Sequence, residues 1–234
     1  MSLKKSIYAL LPFIPRINLA IGQKIYPWKV KISRNRIKKS LSVQSSIYAN
    51  IGCGGVGLST GWINIDFTQF KNVQYVFDCR KELPFAAGSV KGLFTEHFFE
   101  HLDFDEEVPE FLKEVYRTLQ PGGCVRIIIP DAEKYLHAYC SPSWDKLKQT
   151  RPLNDDLTDA MGIKYHTKMQ LINEVFRQGG EHKYAWDFET LSYALRKAGF
   201  IEVFKKDYLK TSDQILAIDM ESRRHESLYV EAIK

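Results

Sequence analysis

No aspartate or glutamate occurs before Asp66, and residues 1–45 hold ten lysines and arginines. Residues 46–234 reverse the balance, with 23 basic against 28 acidic side chains. The net charge of +5 therefore belongs to the N-terminal arm. This distribution excludes a uniformly basic, nucleic-acid-binding surface. Cysteine is scarce as well: Cys53, Cys79, Cys124 and Cys140 show no C-x-x-C spacing. A disulfide framework or zinc ribbon is excluded on that spacing, and reduced thiols in a cytoplasmic protein are expected. Long apolar runs are missing too. Lys4-Lys5 and the ten-residue uncharged run Ser6–Pro15 imitate the start of a signal peptide. Pro12, Pro15 and Arg16 interrupt it, no small-residue cleavage site follows, and the run is too short to span a bilayer. Neither internal repeats nor low-complexity tracts appear, and 234 residues suit one domain with embellishments.

What is present centres on Ser46–Asp66. The apolar run Ile47-Tyr48-Ala49 leads into Asn50-Ile51-Gly52-Cys53-Gly54-Gly55, and Trp62-Ile63-Asn64-Ile65 then delivers Asp66. A strand, a glycine turn and a strand ending in a carboxylate is how doubly wound α/β domains hold a nucleoside. Gly52, Gly54 and Gly57 also satisfy G-x-G-x-x-G, the dinucleotide fingerprint. That fingerprint must open a helix and place its acid about 20 residues later. Asp66 follows Gly57 by only nine residues, so no full helix fits. Asp78 closes the next apolar run, Val73–Phe77, and only eleven residues separate Asp66 from Asp78. Both early crossover helices are expected to be abbreviated.

Phe104–Gln120 carries Val108, Phe111, Leu112, Val115, Tyr116 and Leu119 at helical spacing. Asp103 or Asp105 can cap this helix, and Pro121-Gly122-Gly123 stops it. Val125–Ile129 reads as a central parallel strand. Thr167–Gln178 predicts a helix ended by Gly179-Gly180. Asp187 caps another, with Leu191, Ala194, Leu195 and Ala198 inward and Gly199 at its end. Phe200–Phe204 and Ser227–Ile233 are the last two strands. Residues 132–185 far exceed a simple connection and are expected to form a substrate lid at the carboxyl edge of the sheet. The organisation is thus an arm at 1–45 and a core at 46–234. A parallel sheet needs both faces covered. With the early helices missing, the arm is the obvious cover through Ile7, Leu10, Leu11, Phe13, Ile14, Leu19 and Ile21. A partner subunit, as in a homodimer, is the other. A peripheral membrane contact is the alternative use of the basic arm.

In order, the motifs are Gly52-Cys53-Gly54, Gly61-Trp62 with Asn64 and Asp66, Asp78, Leu83-Pro84-Phe85, Glu96-His97, Glu100-His101-Leu102, Pro121-Gly122-Gly123 and Pro130-Asp131. This series resembles class I S-adenosylmethionine-dependent methyltransferases over roughly residues 46–131, with a weaker echo at 182–200. The resemblance implies a Rossmann-like α/β sheet, mostly parallel, with an antiparallel C-terminal hairpin. It implies S-adenosylmethionine as cofactor. Asp66 would accept from the ribose hydroxyls, and Asp78, beside Cys79, from the adenine amino group. The backbone of Gly52-Cys53-Gly54 would lie under the methionyl part. Asn50 stands where the family commonly has Asp or Glu, and would meet the ammonium group through its amide oxygen without charge. Glu96 and His97 would border the cleft, with His101 and Leu102 structural.

The implied reaction is methyl transfer to a small-molecule or sugar acceptor, on oxygen. The cofactor brings the electrophile, so the protein positions the acceptor and takes a proton. His97 is the first candidate base, His182 the second, and His166 on the lid the third. Trp144, Tyr165, Tyr184 and Trp186 are candidates for stacking on a sugar or ring, with Trp186 favoured as core. His97–His101 also matches H-x-x-E-H, which on a helix would chelate zinc. It follows a strand and has no assignable third ligand, so no metal is expected. A degenerate binding or scaffold protein without turnover is the competing class, favoured by Asn50 and the missing helices.

Overall fold

A computed structural model describes residues 27–58 and 61–234. The chain divides between Ser40 and Leu41. Helix α1 (Pro27–Leu41) begins with proline at its first position, where the absent N–H costs nothing, and carries Lys38 and Lys39 in its last turn. The apolar residues Ile7 to Ile21, expected to act as a cover, lie outside the described residues.

The larger unit is built on seven strands: β1 (Ile47–Ile51), β2 (Trp62–Asp66), β3 (Tyr75–Val76), β4 (Val90–Glu96), β5 (Leu119–Pro130), β6 (Glu202–Lys206) and β7 (Ser227–Ile233). Their order in the sheet is β3-β2-β1-β4-β5-β7-β6. Strands β1 to β5 are parallel, and β7 runs antiparallel to both β5 and β6. The chain steps outward from β1 to β3, then returns to lay β4 on the other side of β1. That reversal is the switch point at which open α/β sheets bind ligands.

Three strands depart from the spacing expected of them. The third shrinks to Tyr75–Val76, because Val73 N–H bonds back to Phe70 in a tight turn. The fifth begins at Leu119, so Pro121-Gly122-Gly123 lies inside it. Gly122 N–H donates to Lys234 O at 2.7 Å and Lys234 N–H to Gly123 O at 3.1 Å, so the C-terminal residue extends the pairing. The sixth starts at Glu202 because Phe200 N–H bonds back to Leu195 and closes the preceding helix over Gly199 (φ 110°).

Helix α2 (Glu107–Thr118) is shorter than its apolar period suggests. Neither expected aspartate caps it: the N-cap is Glu106 without a side-chain bond, and the Glu107 and Val108 N–H groups donate to the backbone oxygen of Asp103 at 3.0 and 2.9 Å, while Asp103 Oδ1 accepts those of Asp105 and Glu106 in the turn before the helix. Residues 132–185 fold as α3 (Ala132–Tyr139), α4 (Asp145–Thr150) and α5 (Lys168–Arg177) around Tyr135, Leu147, Tyr165, Leu171, Ile172 and Val175. Thr167 and Gln170 form a capping box at α5. Asp187 caps α6 (Phe188–Lys197) by accepting Thr190 N–H at 2.8 Å. Helices α2 and α6 pack on each other and on β5, β6 and β7.

Among the described residues no helix joins β1 to β2 or β2 to β3. The face bearing Tyr48, Trp62, Phe94, Cys124, Ile128 and Tyr229 is covered instead by the β6–β7 connection, through Leu216, Tyr208 and Ile218. Arg126 pins that connection. Its guanidinium is fully buried and makes five hydrogen bonds: two to Asp219 (2.7 and 2.5 Å), and one each to Glu231 (3.0 Å), Lys210 O (3.0 Å) and Asp207 O (3.1 Å). All five N–H donors of the fork are used. The four cysteines are free thiols. Among the described residues no helix is long and apolar enough to cross a membrane.

Candidate functional site

At the end of β1 the chain turns through Gly52 (φ 67°) and Gly54 (φ 52°), the left-handed region that glycine enters without strain. A Cβ on Gly52 would also stand 2.5 Å from the Phe98 ring. The turn is bonded to β2: Gly52 and Cys53 N–H donate to Ile65 O at 2.9 and 3.3 Å, and Gly54 N–H to Asp66 Oδ2 at 2.8 Å. Asp66 Oδ1 accepts Thr68 N–H at 2.7 Å. A carboxylate offers about four lone-pair sites, so Asp66 keeps capacity for a ligand's hydroxyls.

Asn50 is buried opposite Asn64 and donates its side-chain amide to Asn64 Oδ1 at 3.2 Å. Asn64 in turn grips both backbone groups of Leu58, at 2.9 and 2.7 Å. The asparagine pair thus anchors the far end of the glycine loop. Burial, aided by Asp66, pushes the Cys53 thiol up to about 12, so it stays protonated and inert. Asp78 lies beyond β3 and is held bidentately by Arg80, Oδ1 to Nε at 2.9 Å and Oδ2 to Nη2 at 2.8 Å. A ligand's amino group would share that carboxylate with Arg80. Cys79 beside it is buried.

Glu96 ends β4 on the other side of the switch point. Burial pushes its pKa up, and its carboxylate accepts Met220 N–H at 3.1 and 3.3 Å, tying the β6–β7 connection to the site. His97 adopts φ 52°, uncommon for a residue with a side chain. Its Nε2 lies 3.0 Å from Ser227 Oγ and its Nδ1 3.3 Å from Glu100 Oε1. The chain then enters a single 3-10 turn, Phe99–His101, so the α-helical geometry that would put His97 and His101 on one face does not form.

His182 arrives from the segment after α5. Its Nδ1 meets Val175 O at 2.6 Å and its Nε2 lies 3.8 Å from Glu100 Oε1. Burial lowers the pKa of His182 and favours the neutral ring. Burial would raise Glu100, but His97 foremost, with His101 and His182, outweighs it and holds the carboxyl low. His97 and His182 therefore meet around Glu100, a residue to which sequence reasoning gave no role. An acid flanked by Phe98, Phe99 and Leu102 was the available signal, since a carboxylate in apolar company needs partners.

Of the lid aromatics, Trp186 is buried among Phe99, Phe104 and Tyr184. Tyr165 is buried and donates its hydroxyl to Asp159 at 2.8 Å. Trp144 packs on the core of the insertion, and Tyr184 stacks on Phe104 at 4.4 Å. His166 is exposed.

Residues 54–127 match a family model described as "Methyltransferase domain". No curated protein matches the sequence. Among solved structures, the chain is similar to a possible exported protein of Bordetella parapertussis, at 16% identity and TM-score 0.47, covering 86% of this chain and 66% of that one, just under two thirds. It is similar to an S-adenosylmethionine-dependent methyltransferase of Mesorhizobium loti, at 18% identity and TM-score 0.45, over 86% and 96% of the two chains. A possible histamine N-methyltransferase of Thermotoga maritima aligns over 97% of each chain at 15% identity and TM-score 0.49.

Proposed function

We propose that this chain, whose residues 54–127 match the methyltransferase-domain family model, transfers the methyl group of S-adenosylmethionine to a small-molecule or sugar acceptor, on oxygen. The observation that carries the reading is the bond between Gly54 N–H and Asp66 at the mouth of β1 and β2, beside the strand-order reversal.

The residues present fit the cofactor. A Cβ built on Gly54 or Gly55 meets nothing within 4 Å, so a ligand can lie close over the backbone there. Asp66 retains lone pairs for ribose hydroxyls, and Asp78 offers a carboxylate to the adenine amino group in competition with Arg80. Bound S-adenosylmethionine supplies the electrophilic methyl group. The chain's own work is to orient the acceptor and remove its proton. His97, at the end of β4, is the base in this reading. Glu100 behind its Nδ1 orients the ring, and Ser227 at its Nε2 is the group an acceptor hydroxyl would displace or join. His182 turns Nε2 toward Glu100 instead and takes no part in that step.

Titration calorimetry with S-adenosylmethionine and S-adenosylhomocysteine tests the reading. Saturable 1:1 binding of both is expected; absence of binding at millimolar concentration overturns it. Acceptor class is tested by methylation of hydroxylated against amine-bearing compounds with labelled cofactor. Loss of transfer in His97→Gln with cofactor binding retained supports the base. Transfer confined to amines overturns the oxygen acceptor.

A further inference from the structure

We propose that Glu100, His101 and His182 form a site for one zinc-class divalent cation, separate from the cofactor cradle. One ligand atom from each side chain lies within 4.8 Å of the others. The three come from two segments, the 3-10 turn after β4 and the stretch that follows α5.

The imidazoles are oriented as ligands. His101 Nδ1 lies 3.1 Å from the backbone oxygen of Glu181, and His182 Nδ1 lies 2.6 Å from that of Val175. A backbone carbonyl can only accept, so in both rings Nδ1 carries the proton and Nε2 presents a lone pair. Metal-bound histidines are held in this way, with the second ring nitrogen donating to a carbonyl or carboxylate.

The carboxylate supplies the independent observation. Glu100 is 2% exposed, and neither of its oxygens makes a hydrogen bond of ordinary geometry. His97 Nδ1 stands at an ion-pair distance of 3.3 Å from Oε1. A buried carboxylate with His182 Nε2 at 3.8 Å and a His101 ring nitrogen within 4.8 Å is costly unless a positive charge stands between them. Two imidazoles and one carboxylate are a zinc donor set, and they leave a fourth position open. Zinc–ligand bonds of about 2.0–2.2 Å require the trio to close by about 1 Å, which side-chain rotation supplies. His101 is half-buried, so solvent reaches the edge of the trio.

The site uses the glutamate and second histidine of H-x-x-E-H but replaces the first histidine with His182. The cation would clamp the segment after α5 to the end of β4. Lys183 N–H already donates to Glu100 O there at 2.8 Å.

The test uses the full chain, stripped with EDTA and dialysed, then titrated with Zn²⁺ against a chromophoric chelator. One Zn²⁺ per chain is expected, with a rise in melting temperature. Loss of an outer-shell partner costs about 10–100-fold in metal affinity, so His101→Ala and His182→Ala should each cost at least about 100-fold. His101 is half-buried, so His101→Ala should keep the fold, checked by far-UV circular dichroism. Co²⁺ loading of the unmodified chain should give the visible bands of a low-coordinate nitrogen–oxygen site. The proposal is overturned if the stripped chain takes up no Zn²⁺ in competition. It is equally overturned if folded His101→Ala binds Zn²⁺ as tightly as the unmodified chain.

Discussion

Gly54 N–H donates to Oδ2 of Asp66 across 2.8 Å, so the carboxylate that ends β2 holds the glycine turn that ends β1. One side chain thus shapes the turn and, in the proposed function, would also meet the ribose hydroxyls. Asp66→Ala should weaken S-adenosylhomocysteine binding by about 1–3 kcal/mol, the cost of losing charge-assisted hydrogen bonds. Asp66→Asn should fall between, since its amide oxygen can still accept Gly54 N–H. Calorimetry on folded variants decides it, and unchanged affinity in Asp66→Ala removes Asp66 from the site.

Arg126 and its two carboxylates carry a stability prediction. All three side chains are fully buried, with Arg126 between Asp219 and Glu231. Arg126→Met leaves Asp219 without its cation and Glu231 with Lys206 alone, at 3.7 Å. Removing one partner of a buried pair costs about 3–5 kcal/mol, whereas exchanging all partners for apolar residues is often neutral. Urea unfolding should show that loss in Arg126→Met. Adding Asp219→Leu and Glu231→Met should recover much of it. A single variant as stable as the unmodified chain would mean the β6–β7 connection does not depend on this pin.

Much of the fold was legible because its rules are local. Thr167, Asp187 and Gly199 mark helix ends by their own hydrogen bonds and backbone angles, and β7 falls at Ser227–Ile233 as its apolar run predicts. The short β1–β2 and β2–β3 links were visible as residue counts. The cover over the exposed face was not. Tyr208, Leu216 and Ile218 follow no helical or strand period, and they reach the sheet through a long connection. Arg126, a cation inside an apolar central strand, was the signal that something polar must pack there. The gathering around Glu100 was hidden because His182 comes from a distant segment. His97 also leaves the helical region, so the H-x-x-E-H spacing does not describe its geometry.

The cysteines separate by burial. Cys53, Cys79 and Cys124 are buried and Cys140 is exposed. Cys53 is pushed up to about 12, so at pH 8 only about one molecule in ten thousand carries its thiolate, the reactive form. Iodoacetamide at pH 8 should therefore modify one cysteine of the native chain, identified as Cys140 by peptide mass mapping, and Cys140→Ser should abolish fast labelling. Rapid modification of Cys53 in the folded chain would contradict its burial.

Asp187 links a helix cap to pH. Hydrogen bonds from Thr190 to its side chain hold its carboxyl below the usual range, and they satisfy an otherwise unpaired N–H at the start of α6. A carboxyl whose folded pKa is depressed binds its proton more readily in the unfolded chain. Its stabilisation is complete above the unfolded value of about 3.9 and disappears as pH falls through the lower folded value. Asp187→Ala should cost about 1 kcal/mol near pH 7, the usual loss for a cap. The gap to the unmodified chain should narrow below about pH 4, where the unfolded chain takes up the proton first. Asp187→Asn keeps an acceptor oxygen without a charge, so its stability relative to Asp187→Ala should not change with pH over that range. Urea midpoints for the three chains at pH 7 and pH 3 measure this directly. If Asp187→Ala lags by the same amount at both pH values, the ionised carboxylate is not what stabilises α6.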